Sequence, residues 1–494
     1  MLKPLSTMKL NSKLLILAAV ISTLCGCSDF LDEKPQSQIE ASLYLEDGIA
    51  AETAITGCYN RLFDQNCLPF LQVFIQVSTD DISQPNGAFF QHKKRKDMKS
   101  VDINSGPWNA MFKTIANVNF LLQEIDKIPL SAFTDKPERK AQITAEAHFI
   151  RGVAYYYLSV AWGDVPIITE FPTGIDDTFV PKNSRAEVIA FAKKELELAE
   201  AGLPNVLTNY TNDPVTNQRK GRASKWAAKA YLARLALQEN NWEKALAYSN
   251  EIIISGNYPF TNVWRAIYDH PMNASESIFE QQNDFSPGFF GSGLYGWFMG
   301  YEFEWSADAM TIFEKPTEIG KTQGKDVRFD YTYKPVPNKY APVRQYADGG
   351  IESMNIIMLR LTEVLFNKAE TLNELDFAGN KVEVVSILND IRARSLDPDF
   401  QNTFFPNQVK GTTGIAPLDP VAFNTADELR TAIRAEKRRD MMFEDVIRWV
   451  DLYRWDKEYL KTICGATSDD HLFLPIPPDE ILRDSNLKQN PAYN

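Results

Sequence analysis

Histidine and cysteine are scarce, since the 494 residues include only four histidines and five cysteines. No two histidines stand close together, and no cysteine pair has the C-x-x-C spacing of a zinc site, so the sequence predicts no metal centre. Beyond the first 27 residues only Cys58, Cys67 and Cys464 remain. Cys58 and Cys67 could pair only if the chain turns between them. We expect buried free thiols rather than a disulfide framework.

Long hydrophobic runs are also missing, apart from Leu14 to Leu24. This run follows three lysines and is shorter than the ~18 residues of a membrane-spanning helix, so residues 1–26 are predicted to be a signal peptide. The segment LCGC at 24–27 resembles a lipobox, and a polar stretch follows it at once. We therefore expect several acyl chains, such as palmitate, to anchor Cys27 in a membrane. The alternative is ordinary secretion with cleavage nearby.

Positive charge is under-represented, with 52 Lys and Arg against 65 Asp and Glu and a formal net charge of −13. The leader carries lysines and no acids, so its removal makes the chain more negative still. An acidic chain repels phosphate backbones, which argues against nucleic acid as a partner. The mature chain is expected to be a soluble body on a lipid tether.

Helical periodicity dominates the rest of the sequence. Ser184 and Glu187 have the spacing of a capping box in front of an apolar helical face. The ranges Ala223 to Gln238 and Trp242 to Ser255 predict a pair of helices, closed by Gly256, that resembles a tetratricopeptide hairpin. Such hairpins stack into a solenoid that serves as a scaffold.

Further helices are predicted at Ile143 to Val160, Met358 to Leu375 and Val382 to Arg394. Trp108 lies on another amphipathic helix and is expected in the core. The predicted fold class is therefore mainly α, with tetratricopeptide-like helical hairpins, long irregular loops and little β structure. Residues 27–494 are expected to form one unit with inserted loop regions at about 257–351 and 397–420.

One loop is unusually aromatic, because nine of the 21 residues from Phe285 to Trp305 are Phe, Tyr or Trp, against 12% for the whole chain. Sugars bind to flat aromatic rings with polar edges, which makes Tyr295, Trp297 and Trp305 candidate ligand platforms. Burial of these rings, or contact with a partner protein, is the alternative interpretation.

The same loop contains GSGLYG at 291–296, which has the G-x-G-x-x-G spacing of a dinucleotide-binding loop. That fingerprint requires a buried strand before it and a helix after it, within a βαβ unit. The surrounding sequence shows no such alternation. We therefore expect no cofactor.

A second candidate ligand-binding segment is DDISQPNGAFFQ at 80–91. Its turn-rich sequence presents Asp81, Asn86 and Gln91, and acids and amides suit the hydroxyl groups of a sugar. The run KKRK at 93–96 is interpreted as a solvated face, because nothing around it marks a binding patch.

Five segments, in order along the chain, resemble the SusD/RagB family of outer-membrane nutrient-binding lipoproteins. They are CSDFLDEKPQ (27–36), AEAHFIRGVAYYYLSVAWGDVPII (145–168), LRLTEVLFNKAETLNEL (359–375), IRAEKRRDMMFEDVIRWVDLYRW (433–455) and LFLPIPPDEILRDSNLKQNPAY (472–493). The resemblance covers essentially the whole chain. Two details depart from the family pattern: the stretch from Glu444 to Arg448 is one residue longer than F-E-G-x-R, and Ala492 stands where a glycine is common.

The resemblance implies a helical fold with tetratricopeptide-like units that support loop-rich ligand-binding regions. It also implies an outward-facing position at the outer membrane and a partner, a SusC-like TonB-dependent transporter. The lipoprotein would lie over that transporter as a lid and capture oligosaccharides or peptides without catalysis. A tetratricopeptide-type adaptor for protein tails also fits the helices, but it leaves the aromatic loops without a role.

The main alternative function is a helical glycoside hydrolase acting on the same glycans, which needs two carboxylates ~5 or ~6.5–9.5 Å apart. Glu444, Arg448, Asp451 and Arg454 have helical spacing and alternate in charge. This pattern predicts ion pairs along one face of a single helix rather than a pair of catalytic carboxylates.

Overall fold

A computed structural model describes most of the chain from Leu45 onward. The residues that it describes are 45–64, 66–85, 94–99, 105–133, 136–172, 174, 179–205, 220–264, 267, 274–282, 303–313, 326, 328, 355–396 and 415–494. The chain divides into a short N-terminal unit, Met1–Glu46, and a large unit, Asp47–Asn494. The predicted signal peptide and Cys27 lie outside the described residues.

Long α-helices make up most of the large unit. In chain order the helices are α1 (Gly48–Leu62), α2 (Leu68–Gln76), α3 (Gly106–Ile125), α4 (Glu138–Ala161), α5 (Arg185–Gly202), α6 (Lys225–Gln238), α7 (Trp242–Ile254), α8 (Ala307–Thr311), α9 (Leu361–Arg392), α10 (Ala426–Met441), α11 (Ile447–Trp455), α12 (Lys457–Cys464) and α13 (Pro478–Arg483). Neighbours in sequence pack together from α3 to α7, and both α7 and α10 pack on α9. The mainly α fold class is confirmed.

Four short strands form two antiparallel pairs in the described part of the chain. β1 (Ile82–Pro85) pairs with β3 (Phe303–Trp305), and β2 (Ser277–Gln281) pairs with β4 (Ile356–Arg360). Both pairs join segments that are far apart in sequence. Single-turn 3-10 helices occur at Arg95–Asp97, Leu130–Ala132, Ala393–Ser395, Pro420–Ala422, Asp470–Leu472 and Pro491–Tyr493.

Local capping signals set the helix boundaries. The Ser184 hydroxyl accepts from the backbone N–H of Glu187, and the Glu187 carboxylate accepts from the Ser184 N–H at 2.8 Å, which confirms the capping box of α5. The Asn241 side chain caps α7. Gly256 follows that helix with a φ of +66°, a left-handed conformation that glycine adopts without steric cost. The predicted pair of helices, now α6 and α7, is confirmed.

The helix predicted from Met358 to Leu375 is wrong at its start. Ile356–Arg360 form β4, in which every residue is buried, and α9 begins at Leu361. A short apolar run is compatible with a buried strand and with a buried helix. The periodicity of the sequence therefore could not distinguish the two structures at residues 358–360. The break predicted before Val382 is confirmed, because Asp376 has φ −157° and ψ 87° and interrupts α9.

The core contains the aromatic and thiol side chains that the sequence places there. Trp108 is 3% exposed, and its ring centroid lies 5.3 Å from that of Trp162. Cys58, Cys67 and Cys464 are buried free thiols, as predicted. Burial raises the pKa of Cys58 and of Cys67 to about 12, so both remain protonated at neutral pH.

The basic run at 93–96 is not solvated throughout, which corrects the interpretation from sequence. Lys94 and Lys96 are exposed, but Arg95 is 1% exposed and its guanidinium carbon lies 5.0 Å from the centroid of the Trp449 ring. Burial lowers the pKa of Arg95. An arginine can bury its long stem and stack its planar head on an indole, so a charge count does not predict its exposure.

A left-handed turn between α10 and α11 holds a buried carboxylate that links three helices. Phe443 and Asp445 have φ values of +61° and +46°. The Oδ1 atom of Asp445 accepts from Gln72 Nε2 at 2.9 Å and from the Tyr157 hydroxyl at 2.7 Å. Its Oδ2 atom accepts from Arg234 Nη1 at 2.6 Å. Aspartate is among the few residues that tolerate this backbone region, where the F-E-G-x-R pattern has glycine.

The charges from Glu444 to Arg454 are paired, but not along one helix as the sequence predicted. Glu444 precedes α11 and pairs with Arg360 at 2.6 Å, because the left-handed turn points its side chain toward β4. Arg448 reaches Asp80 at 2.6 Å. The one pair of this set that lies within the helix is Asp451–Arg454, at 3.1 Å. Burial against other elements therefore decides the partners.

We predict that Asp445→Ala lowers the free energy of unfolding by about 3 kcal/mol, because it leaves part of a buried guanidinium charge uncompensated. Asp445→Gly should cost about 1 kcal/mol less, since glycine adopts the positive φ without the clash that alanine suffers. Chemical denaturation followed by circular dichroism measures both changes. Asp390→Ala, at an exposed position of α9, is the control. An Asp445→Ala variant as stable as the wild type would show that the carboxylate contributes nothing.

At Glu370 on α9, ion pairing has a larger effect on the pKa of the carboxyl group than burial has. Its carboxylate accepts from Arg454 at 3.0 and 2.9 Å and from the indole nitrogen of Trp455 at 2.8 Å. Burial alone raises the pKa of Glu370, but the charge and hydrogen bonds of Arg454, with Lys437 and Trp455, outweigh it and lower the pKa to about 2. The buried carboxylate therefore stays ionised in moderate acid.

We predict a specific contribution of Glu370 to acid unfolding. Because its folded-state pKa is depressed, its stabilising effect is fully present above the ordinary value of 4.5 and is lost as the pH falls toward about 2. Glu370→Gln should flatten the dependence of the unfolding free energy on pH between roughly pH 5 and 3. Denaturant titrations at several pH values measure that slope, with Glu243→Gln on the exposed face of α7 as control. An unchanged slope contradicts the pairing.

Candidate functional site

The β1–β3 strand pair joins the two segments that the sequence analysis selects as ligand-binding candidates. Ile82 in β1 lies opposite Trp305 in β3. Next to this pair the backbone N–H of Ser306 donates to the Asp81 carbonyl oxygen at 3.0 Å. The described ends of these two segments, residues 80–85 and 303–305, therefore meet at one edge, which we call the β1–β3 edge.

The structure describes two of the six residues that the sequence proposes as ligand contacts. Trp305 is described for its backbone, in β3, and Asp81 for its side chain as well. The other four lie outside the described residues: Asn86, Gln91, Tyr295 and Trp297. Their contact with a ligand stays a prediction.

Two arginines fix a pair of adjacent aspartates at the start of β1. Asp81 is 1% exposed, and its Oδ1 atom accepts from Arg438 Nε at 2.8 Å. Asp80 accepts from Arg448 Nε and Nη2 at 2.8 and 2.6 Å, a bidentate geometry. Arg438 also donates to Asp308 on α8. Helices α8, α10 and α11 are thereby tied to the β1–β3 edge.

The two aspartates have opposite pKa shifts. Burial raises the pKa of each, but at Asp80 the hydrogen bonds and charge of Arg448, with the charge of Arg438, outweigh burial and lower it. At Asp81 burial and the negative charge of Asp80 prevail over Arg438 and raise it. Both carboxylates face arginines, so they support the edge. Direct contact between Asp81 and a ligand stays a prediction.

The groups that a ligand can reach lie at the rim of this cluster. Tyr459 on α12 is 40% exposed, and its hydroxyl donates to Asp80 Oδ2 at 3.4 Å. The side chain of Asp308 is 55% exposed and that of Arg448 is 15% exposed. A tyrosine ring beside a carboxylate and a guanidinium offers an apolar face with polar groups at its edge, which suits a sugar.

Sequence reasoning missed Asp308, Arg438, Arg448 and Tyr459 as residues of this edge. They lie far from segment 80–91 in the chain, so no spacing rule connects them. One signal was present: buried arginines need carboxylate partners, and two adjacent acids begin the segment.

Among the described residues, no group of three or more His, Cys, Asp or Glu side chains is placed to hold a metal ion. That part of the chain also contains no helix long and apolar enough to cross a membrane.

Two family models match the chain. One, described as starch-binding and associating with the outer membrane, matches residues 29–237, and the other, described as SusD family, matches residues 294–464. Among curated proteins, SusD-like protein P38 from Formosa agariphila is 26% identical over 439 residues. The match covers 78% of this chain and 79% of that protein.

Solved structures show the same fold. A SusD superfamily protein from Bacteroides thetaiotaomicron has a TM-score of 0.68 at 21% identity, over 89% of this chain and 99% of that one. The surface glycan-binding protein A from Bacteroides fluxus has a TM-score of 0.66 at 19% identity, over 91% of this chain and 100% of that one. At these identities the likeness concerns the fold alone.

Proposed function

Because the chain belongs to the SusD/RagB family, we propose that it binds oligosaccharides, or other fragments of polymeric nutrients, at the β1–β3 edge. We propose further that it delivers them to a SusC-like TonB-dependent transporter, over which it lies as a lid, and that it performs no chemistry on its cargo. The descriptions of the matched family models and the name of the glycan-binding neighbour support glycan as the class of cargo.

The observation that supports the proposal is the pairing of residues 82–85 with residues 303–305, which belong to the candidate segments 80–91 and 291–305. Each segment alone suits a sugar, one through acids and amides and the other through aromatic rings. The strand pairing brings the described residues of both segments together, and Tyr459 on α12 offers an exposed ring beside Asp80. Arg438 and Arg448 hold Asp81 and Asp80 in place, so this part of the proposed site is formed before a ligand binds. A preformed site loses little entropy on binding.

The hydrolase alternative finds less support at this edge. A glycosidase needs a protonated carboxyl group and a second carboxylate that both reach the scissile bond. Asp81 has a raised pKa but is 1% exposed and bonded to Arg438. Asp80 is 5% exposed and is held by Arg448. A substrate would have to break these ion pairs to reach either group, which favours binding over hydrolysis.

We predict that purified protein binds members of a panel of neutral gluco-, manno- and xylo-oligosaccharides and releases no new reducing ends. Trp297→Ala, Trp305→Ala and Tyr459→Ala should each weaken binding roughly tenfold, by analogy with bases that stack on aromatic side chains. Isothermal titration calorimetry measures the affinity. Thermal denaturation tells a lost platform from a lost core residue, since removing a buried aromatic costs about 3–5 kcal/mol of stability.

Tyr248→Ala is the matched control, because this tyrosine is half-buried on α7 in the scaffold. Its affinity for the glycan should equal that of the wild type. Lowered Tm with intact binding in the Trp297 or Trp305 variant would assign that ring to the core. Intact binding at unchanged Tm in all three variants would exclude the β1–β3 edge as the glycan site. New reducing ends from the purified protein would favour the hydrolase.

The location and the partner are tested together in cells. We predict that the protein fractionates with the outer membrane and, after mild detergent extraction, co-purifies with a SusC-like barrel. Cys27→Ala is the matched variant: without the lipidated cysteine it should lose incorporation of a palmitate analogue and leave the membrane fraction. Label retained by Cys27→Ala contradicts the anchor. A wild-type protein that purifies alone in several detergents contradicts the lid.

A further inference from the structure

A cleft of about 910 Å³ lies between α3, α4 and the extended segment at 167–172. Its volume is within the range of about 300–1,000 Å³ that small-ligand sites occupy. Its described lining residues do not include any residue of the β1–β3 edge or of the arginine–aspartate cluster beside it. The described residues of the proposed glycan site are therefore not part of this cleft, and nothing in the function proposed above uses it.

A chain of buried polar contacts at the cleft fixes the orientation of His148. Asn119 Oδ1 accepts from Arg151 Nη1 at 2.7 Å, and Arg151 donates to the two Glu195 oxygens at 2.7 and 3.0 Å. Glu195 Oε2 lies 2.9 Å from Nδ1 of His148. Burial raises the pKa of Glu195, but the hydrogen bonds and charges of His148 and Arg151 outweigh it, so the group is an ionised acceptor. An ionised carboxylate can only accept, so Nδ1 of His148 donates to Glu195, and Nε2 is left for a ligand.

The polar groups left for a ligand include two exposed carboxylates, those of Asp126 and Glu170, and the exposed amide of Gln123. Asp126 is exposed at the end of α3, and its carboxylate has no partner among the described residues. The Thr144 hydroxyl donates its hydrogen to the Lys140 carbonyl at 3.0 Å, so toward a ligand it can only accept. The donors of Arg151 are already engaged. The negative charges of Asp126 and Glu170 favour a cationic ligand.

The other lining side chains are mostly aliphatic: Leu122, Ile167, Ile168, Pro172 and Val180. Phe171 also lines the cleft, and it already packs edge-to-face with Phe120, with ring centroids 5.2 Å apart. Sugars favour flat, open aromatic faces, whereas aliphatic side chains pack well against other aliphatic side chains. The wall therefore suits the side chain of a peptide better than a sugar ring.

We propose that this cleft is a second ligand site, which takes an extended peptide carrying an aliphatic side chain next to a lysine or arginine. The aliphatic residue packs against the wall at 167–172. The cation pairs with Asp126, and a polar group of the peptide backbone forms a hydrogen bond with Nε2 of His148. A neutral oligosaccharide fits the proposed glycan site and not this cleft.

The experiment compares two peptides, acetyl-Leu-Leu-Lys-amide and the same peptide with norleucine in place of lysine. Calorimetric titration of the full-length protein should show tighter binding of the lysine peptide. Asp126→Asn should weaken the lysine peptide roughly two- to fivefold and leave the norleucine peptide unchanged. His148→Phe, which keeps the ring and removes both nitrogens, should weaken both peptides by a similar factor. Asp390→Asn on the exposed face of α9 is the matched control.

The outcomes separate this proposal from the proposed glycan function. The peptide should bind in the presence of saturating oligosaccharide, and Tyr459→Ala should leave peptide affinity unchanged. Equal affinity for the two peptides, no binding of either at millimolar concentration, or an equal effect of Asp126→Asn and Asp390→Asn would overturn the peptide site. Competition between glycan and peptide would also overturn it. Failure of glycan binding alone would leave the peptide measurements intact.

Discussion

The buried carboxylate of Asp445 is the constraint on which the arrangement of the scaffold depends. A carboxylate this deep in the core is stable only when donors satisfy it, and its donors come from α2, α4 and α6. Gln72, Tyr157 and Arg234 meet at one point only if those three helices keep their relative positions. Arg234 extends the network to Glu363 on α9 at 2.6 Å. The carboxylate in this turn is fully hydrogen-bonded in only one arrangement of the helices. It therefore favours that arrangement over others, in addition to any stability it contributes.

The same turn connects the core to the β1–β3 edge. Helix α10 ends just before it and carries Arg438 in its last turn, while α11 begins just after it and carries Arg448 in its first turn. These two arginines hold Asp81 and Asp80. The positive φ of Asp445 sets the angle between the two helices and therefore the placement of both guanidinium groups. A substitution in the turn should therefore shift the two guanidinium groups at the β1–β3 edge, although the turn and the edge are different sites.

The sequence predicts the parts of this fold that depend on local interactions. The capping box at Ser184 and the Gly256 stop act within a few residues, so their patterns identify the helix ends directly. The β1–β3 pairing was not predictable, because it joins segments more than two hundred residues apart and each strand is short. The partners of Glu444 and Arg448 were wrong for the same reason: helical spacing describes neighbours along one helix, and burial supplied neighbours from other elements.

The two proposed ligand sites differ in composition, and this difference explains why the sequence pointed to one and not to the other. The β1–β3 edge belongs to sequence segments rich in aromatic and turn residues, a composition that differs from that of the helical segments. The cleft is lined partly by residues of α3 and α4 that have no distinctive sequence pattern. Their chain of buried polar contacts forms only when α5 supplies Glu195. A peptide that binds there in the folded state alone stabilises the packing of these helices by mass action. Such stabilisation would require no change at the β1–β3 edge, so we expect the two proposed sites to bind their ligands independently.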